Sequence, residues 1–230
     1  MEFQREAAAR AFQLAARVGR EQLFEGERGL PVSLKDSAHT PYLGWVGRNY
    51  RGGTVLIAKN PGGGGDSQVE PTALDLEVQR RLFSLRDDAG SPPVDLLDRV
   101  TQAFHTQLPT IGMGVLLGRV LARTGETMND VAFFNVCPFR TRNDESLSTA
   151  TQRKSLDLIA KPLVAALRPD TLVYLGVGVG REASKTLNAR WTYVLPRAIN
   201  DKQLKSEALP ILDAIQTDNE ARQAYRSCRA

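Results

Sequence analysis

Three short stretches gather the side chains able to do chemistry in a chain that otherwise alternates apolar runs with helical periodicity. The first runs from Asn60 through Pro61 and four glycines to Asp66. Asp66 is its single carboxylate. It can place negative charge beside a developing cation or activate water, and equally it can close a turn or cap a helix. Gly62 and Gly63, with the two glycines that follow, let the backbone pass close to a ligand and turn N–H groups toward a carbonyl or phosphate. The second stretch is Asn135 to Arg142. The Asn135 amide both donates and accepts, which suits reading a ligand's polar edge or tying two loops together. Phe139, more than Phe134 or Tyr42, is the candidate to stack on a flat ligand, although phenylalanines at strands more often belong to the core. The third stretch, Pro196 to Asp201, carries Arg197, Ile199 and Asn200. Arg140, Arg142 and Arg197 suit phosphate contacts, with plain solvated arginines as the alternative. Lys59 is an amine that could attack a carbon, but strand alternation turns it away from Asn60.

Each stretch follows an apolar run. Thr54 to Ala58, Val131 to Phe134, Thr171 to Leu175 and Trp191 to Leu195 read as strands, short and apolar on both faces. Between them lie helical patterns over about 72–86, 94–106, 111–123 and 148–167, the last carrying Pro162, which predicts a kink or break. An amphipathic helix opens the chain and another closes it. Residues 26–53 read as loop, Gly176 to Gly180 as a turn and Arg181 to Leu187 as a short helix. Strands separated by helices specify an α/β fold, here a three-layer αβα sandwich around a central, mostly parallel four-stranded sheet, as one domain over 1–230. Sites in such folds lie beyond the carboxyl ends of the strands, where all three stretches fall.

Composition narrows the class. The chain has 230 residues with 42% apolar content, enough to close a core. No apolar run reaches the length of a membrane span, and the opening residues are charged throughout, so a soluble cytoplasmic protein is expected. Two cysteines, Cys137 and Cys228, and two histidines argue against a disulfide framework and against a cysteine-ligated metal site of usual spacing. Metal-free, cofactor-free chemistry in a monomer is the expectation. The net charge of +4 is uneven: residues 1–134 hold 15 basic and 16 acidic side chains, residues 135–230 hold 15 and 10. The second half therefore suits an anionic partner, or carries scattered surface charge.

The three strand-end loops, in order, resemble the motifs of the uracil-DNA glycosylase superfamily. Val55-Leu-Ile-Ala-Lys-Asn-Pro-Gly62 is similar to the first motif in the form found in the mismatch-specific uracil and thymine-DNA glycosylase branch. Phe133-Phe-Asn-Val-Cys-Pro-Phe-Arg140 is similar to the second strand-end motif, Leu172-Val-Tyr-Leu-Gly176 to the third strand, and Tyr193-Val-Leu-Pro196 to the opening of the last motif. The likeness covers roughly 53–210. It departs in the last motif, where Pro196-Arg-Ala-Ile-Asn-Asp201 stands in place of the usual Ser-, Asn- or His-containing loop. No histidine is there to meet a departing base, which puts uracil as substrate in question.

The resemblance implies a glycosylase that extrudes a nucleotide from DNA and hydrolyses its N-glycosidic bond to leave an abasic site. On that reading Asn60 holds the attacking water, Asp66 assists, and Gly62, Gly63, Asn135 and Phe139 bind the base. Arg140, Arg142, Arg197, Ile199 and Asn200 meet the DNA, with Arg197 or Ile199 filling the gap left by the base. The four glycines leave room for a pyrimidine larger than uracil, such as one modified at the five-position. Repair of the cell's own genome and attack on modified invading DNA both fit such an activity. Two rivals stand beside it: a non-catalytic binder of modified DNA, and a nucleotide-binding enzyme using Gly176 to Gly180, whose glycines follow a strand but miss the GxGxxG spacing.

Overall fold

The computed structural model describes residues 3–26, 41–61, 72–141, 146–196 and 205–227. Five strands form one sheet: β1 (Gly44–Val46), β2 (Thr54–Ala58), β3 (Ala132–Asn135), β4 (Thr171–Leu175) and β5 (Trp191–Leu195), in the order β1-β3-β2-β4-β5. β2, β3, β4 and β5 are parallel, the four strands read from the apolar runs. The fifth corrects the four-stranded expectation. β1 pairs antiparallel with β3 from inside the stretch read as loop. It spans three residues, too few for a periodic signal, and opens at Gly44 with φ +142°. A side chain is excluded there, since a methyl group on Gly44 would stand 2.7 Å from the Phe134 Cα.

Nine helices are present among the described residues: α1 (Arg5–Ala16), α2 (Arg20–Leu23), α3 (Ala73–Asp87), α4 (Pro93–Gln107), α5 (Gly112–Thr124), α6 (Thr149–Ser155), α7 (Lys161–Leu167), α8 (Val177–Ala183) and α9 (Leu209–Ser227). Local chemistry sets their ends. Thr72 and Asp75 form a reciprocal capping box at the start of α3, the Thr72 hydroxyl accepting from the Asp75 N–H at 3.1 Å. Pro93 opens α4 where its missing N–H costs nothing, and Gly125, in the left-handed region, ends α5. The expected disturbance at Pro162 is a wide π turn over 156–160 that joins α6 to α7, placed just ahead of the ring that cannot continue regular hydrogen bonding. α8 starts at Val177, earlier than the Arg181 start read from sequence, so most of the expected glycine turn is helical.

The order of strands places helices on both faces. Passing from β2 to β3 moves one way across the sheet, and from β3 to β4 to β5 the other, so right-handed crossovers put the two sets of helices on opposite sides. β5 displays this directly. Val194 packs beneath Gly180 of α8, where a methyl on the glycine would sit 2.6 Å from both Val194 Cγ atoms, while the neighbouring Tyr193 hydroxyl reaches Asp218 of α9. α9 packs with α5, and α7 with α1. α4 covers β1, with Trp45 stacked on Phe133 at 4.6 Å and tilted by 37° against Phe104 at 5.8 Å. β1 to β4 are buried along their whole length; only β5, at the edge, is partly exposed. Among the described residues no helix is long and apolar enough to cross a membrane.

Candidate functional site

The parallel strands end level with one another. Ala58 pairs with Asn135, Ile57 with Tyr174, and Leu175 with Leu195, so Asn135, Ala58, Leu175 and Leu195 stand in one row at the carboxyl rim. With adjacent strands about 4.8 Å apart, the row from β3 to β5 spans roughly 14 Å. In the order β1-β3-β2-β4-β5 the crossover after β2 leads to one side and that after β4 to the other, so the ends of β2 and β4 mark the topological switch point at which α/β sheets bind ligands.

Asn60 sits two residues past β2. It is held there because β2 and β3 keep pairing beyond the sheet: the Val136 N–H donates to the Ala58 carbonyl at 2.9 Å and the Cys137 N–H to the Lys59 carbonyl at 2.8 Å. The half-buried Asn60 amide donates to the Thr141 hydroxyl at 3.4 Å and to the Pro61 carbonyl at 3.5 Å. Both contacts lie at the long edge of hydrogen-bonding distance, so among the described residues the amide is held only weakly.

Asn135 closes β3 and is 5% exposed. Its N–H donates to the Leu43 carbonyl at 2.8 Å, and its side-chain Nδ2 donates to the Tyr42 carbonyl, also at 2.8 Å. The loop-tying role is therefore met by one half of the amide. The other half, Oδ1, is buried with no hydrogen-bond partner among the described residues. A buried acceptor in that condition is costly unless a ligand or water completes it.

Beside it, Arg140 lays its guanidinium over the Tyr42 ring, 4.6 Å from the centroid. Its Nε is buried and unpartnered among the described residues, which separates it from a plainly solvated arginine. Tyr42 is fixed from the far side by Gln79, whose Nε2 donates to the tyrosine hydroxyl at 2.8 Å. Lys59 is half-buried, and burial lowers its pKa, with the nearby Cys137 opposing that shift.

Phe139 does not take the stacking role read for it. Its ring is fully buried, edge-on to Phe24 at 6.4 Å, and offers no face to a ligand. Phe134 and Tyr42 are buried in the same core. Asp66, Gly62, Gly63, Arg142, Arg197, Ile199 and Asn200 lie outside the described residues. Thr141 and Gln79 enter as supports that sequence reasoning missed, and Tyr42, weighed there as a stacking ring, supports Asn135 and Arg140 instead. Tyr42 acts on Asn135 through its main chain, which leaves no side-chain signal, and Thr141 differs in no visible way from a surface threonine.

Two of the three glycines after β4 have structural explanations. Gly176 adopts φ +128°, and Gly180 permits the close approach of α8 to Val194. Neither requires a bound phosphate. Among the described residues no group of three or more His, Cys, Asp or Glu could hold a metal ion. Comparisons with protein-family models and with curated proteins give no match.

Proposed function

We propose that the chain is a monofunctional DNA glycosylase that hydrolyses the N-glycosidic bond of an extruded pyrimidine and leaves an abasic site. The observation that carries this reading is the placement of two asparagines at one rim, Asn60 just past β2 and Asn135 at the end of the neighbouring parallel β3, the first with two long contacts and the second with a buried acceptor that has no partner among the described residues.

A stacked base is shielded, so the nucleotide must first leave the duplex at a cost of a few kcal/mol. As the bond to the sugar lengthens, positive charge grows on the sugar and negative charge on the base. Fixed dipoles aimed at both fragments lower that barrier. The Asn60 amide orients the water that adds to the sugar carbon. An amide is no base, so the reaction depends on a base that leaves readily, with Asp66 as the nearest carboxylate in sequence to receive the water's proton. Asn135 holds the base edge, and Arg140, steadied by Tyr42, meets a phosphate. Four glycines after Pro61 bring no side chains of their own, which supports a pyrimidine carrying a group at the five-position as the substrate. No cofactor is called for by this chemistry.

The test is incubation with duplex and single-stranded DNA carrying uracil, thymine mismatches and five-substituted cytosines, followed by alkali. Strand scission at one of these bases is the expected result. Retarded DNA with no alkali-labile site in any substrate would replace the enzyme with a binding module. A strict preference for uracil would refute the enlarged pocket.

A further inference from the structure

The outward face of α5 lacks what a water-facing helix ordinarily carries. Its exposed residues are Ile111 at the cap, Val115, Gly118, Arg119, Ala122 and Arg123, with no carboxylate, amide or lysine among them. Ile111 is 38% exposed and Val115 42%, one turn apart on the same side. One turn further along, α5 and α9 frame a groove of about 480 Å³ lined by Arg119, Ala122, Arg123, Leu209 and Leu212, with Leu209 45% exposed and Leu212 fully buried. Gly118 is an independent sign on the same face. Glycine weakens a helix interior relative to alanine. At Gly114 the chain itself demands it, since a methyl group there would collide with the Leu108 carbonyl, whereas a methyl group on Gly118 would meet nothing within 4 Å. Its backbone is ordinary helix, so φ supplies no reason either. A neighbour from outside that packs closely against the helix does.

We infer that the groove between α5 and α9 docks an acidic amphipathic helix of another protein, with apolar side chains laid along Val115, Gly118 and Ala122 and carboxylates meeting Arg119. Charge selects this occupant. Asp213, the carboxylate that α9 brings to the groove, is spent on Arg123 at 2.6 Å, while Arg119 has no hydrogen-bond or ion-pair partner among the described residues. An apolar bed edged by an unpaired guanidinium matches apolar side chains flanked by carboxylates. A second copy of this chain matches poorly, because a two-fold pairing through Gly118 would set one Arg119 beside the other. DNA matches poorly too, since phosphates would meet Arg119 and leave Ile111, Val115 and Leu209 in water. The inference is independent of the glycosylase reading. Glu126, just past the end of α5, accepts from the Thr54 hydroxyl at the start of β2 at 2.6 Å, so the groove lies toward the amino end of the sheet and a docked helix leaves the carboxyl rim open.

Two labelled, stapled helical peptides test it, identical along a face of alanine and leucine and flanked in one by glutamates, in the other by lysines. Binding to the full chain is read by fluorescence anisotropy. The acidic peptide is expected to bind roughly tenfold tighter than the basic one, and Arg119→Glu to erase or invert that preference. Gly118→Leu blocks the close approach and is expected to weaken the acidic peptide roughly tenfold, with no fall in melting temperature because its side chain enters open space. Equal binding of the two peptides, binding of neither, or binding untouched by Gly118→Leu would overturn the inference. A lowered melting temperature of that variant would do the same, since the glycine would then serve the fold. Sedimentation of the protein alone is expected to show a monomer, and an unmodified duplex is expected to leave the acidic peptide in place. A dimer lost in Gly118→Leu would assign the face to a second copy, and displacement by the duplex would assign it to DNA; either result overturns the acidic partner.

Discussion

Replacing Asn135 with leucine sets a structural tie against a functional cost. The two side chains are close in size, so packing in the buried end of β3 changes little. The substitution removes the bond from Nδ2 to the Tyr42 carbonyl, a loss of about 0.5–1.5 kcal/mol. It also removes Oδ1, a buried acceptor with no partner among the described residues, whose desolvation costs about 1–3 kcal/mol. The balance runs from about 0.5 kcal/mol of destabilisation to about 2.5 kcal/mol of stabilisation, which for a chain of this size moves the melting temperature by roughly −2 to +10 °C. Paired urea and thermal melts of the two proteins measure it. The variant is expected to match or exceed the wild type in stability while losing excision. A loss of more than about 2 kcal/mol would refute the reasoning, because Asn135 would then be a purely structural residue whose oxygen is already satisfied.

Three further outcomes are expected. Asn60→Ala should lower excision at least about a hundredfold, the scale of losing one oriented dipole, with a melting temperature near that of the wild type because the contacts it deletes are long. Unchanged turnover would remove Asn60 from the reaction. Gly180→Ala should destabilise by about 1–3 kcal/mol through the clash with Val194, whereas Gly178→Ala, in open space on the same helix, should stabilise by about 0.5–1 kcal/mol; equal effects in urea melts would contradict the packing of α8 on β5. His105 is half-buried edge-on to Trp45, and burial with the charge of Arg48 lowers its pKa below the ordinary 6.5. The unfolded chain therefore takes up this proton first. The stability held above about pH 6.5 is lost as pH falls toward the folded-state pKa, and His105→Phe should flatten that decline in melts between about pH 7.5 and 5.

Much of the sheet was legible in the sequence because a strand buried on both faces is an uninterrupted apolar run, as in Val55 to Ala58 and Leu172 to Leu175. β1 was not, since three residues beside a positive-φ glycine carry neither length nor alternation. Its place is set by pairing with β3, a tertiary fact. The start of α3 could be found from Thr72 and Asp75, whereas glycines concealed the start of α8, because Gly178 and Gly180 lie inside the helix and only Gly176 makes the turn. Within the site, the strand-end positions of Asn60 and Asn135 followed from where the apolar runs stop. The fate of Phe139 did not, because no periodicity governs a loop and its burial depends on Phe24, far away in sequence. Asn135's division into a used and an unused half was equally hidden, being decided by a main-chain atom of Tyr42.

Gly44 ties these levels together. Its bare backbone lets β1 lie against β3 at a separation no side chain would permit, and the same approach delivers the carbonyl two residues earlier to Asn135. On the proposed reading, the Asn135 amide is thus steadied from a position that contacts no ligand. A side chain at 44 would pry the edge strand away from β3 and part the Asn135 amide from the Tyr42 carbonyl.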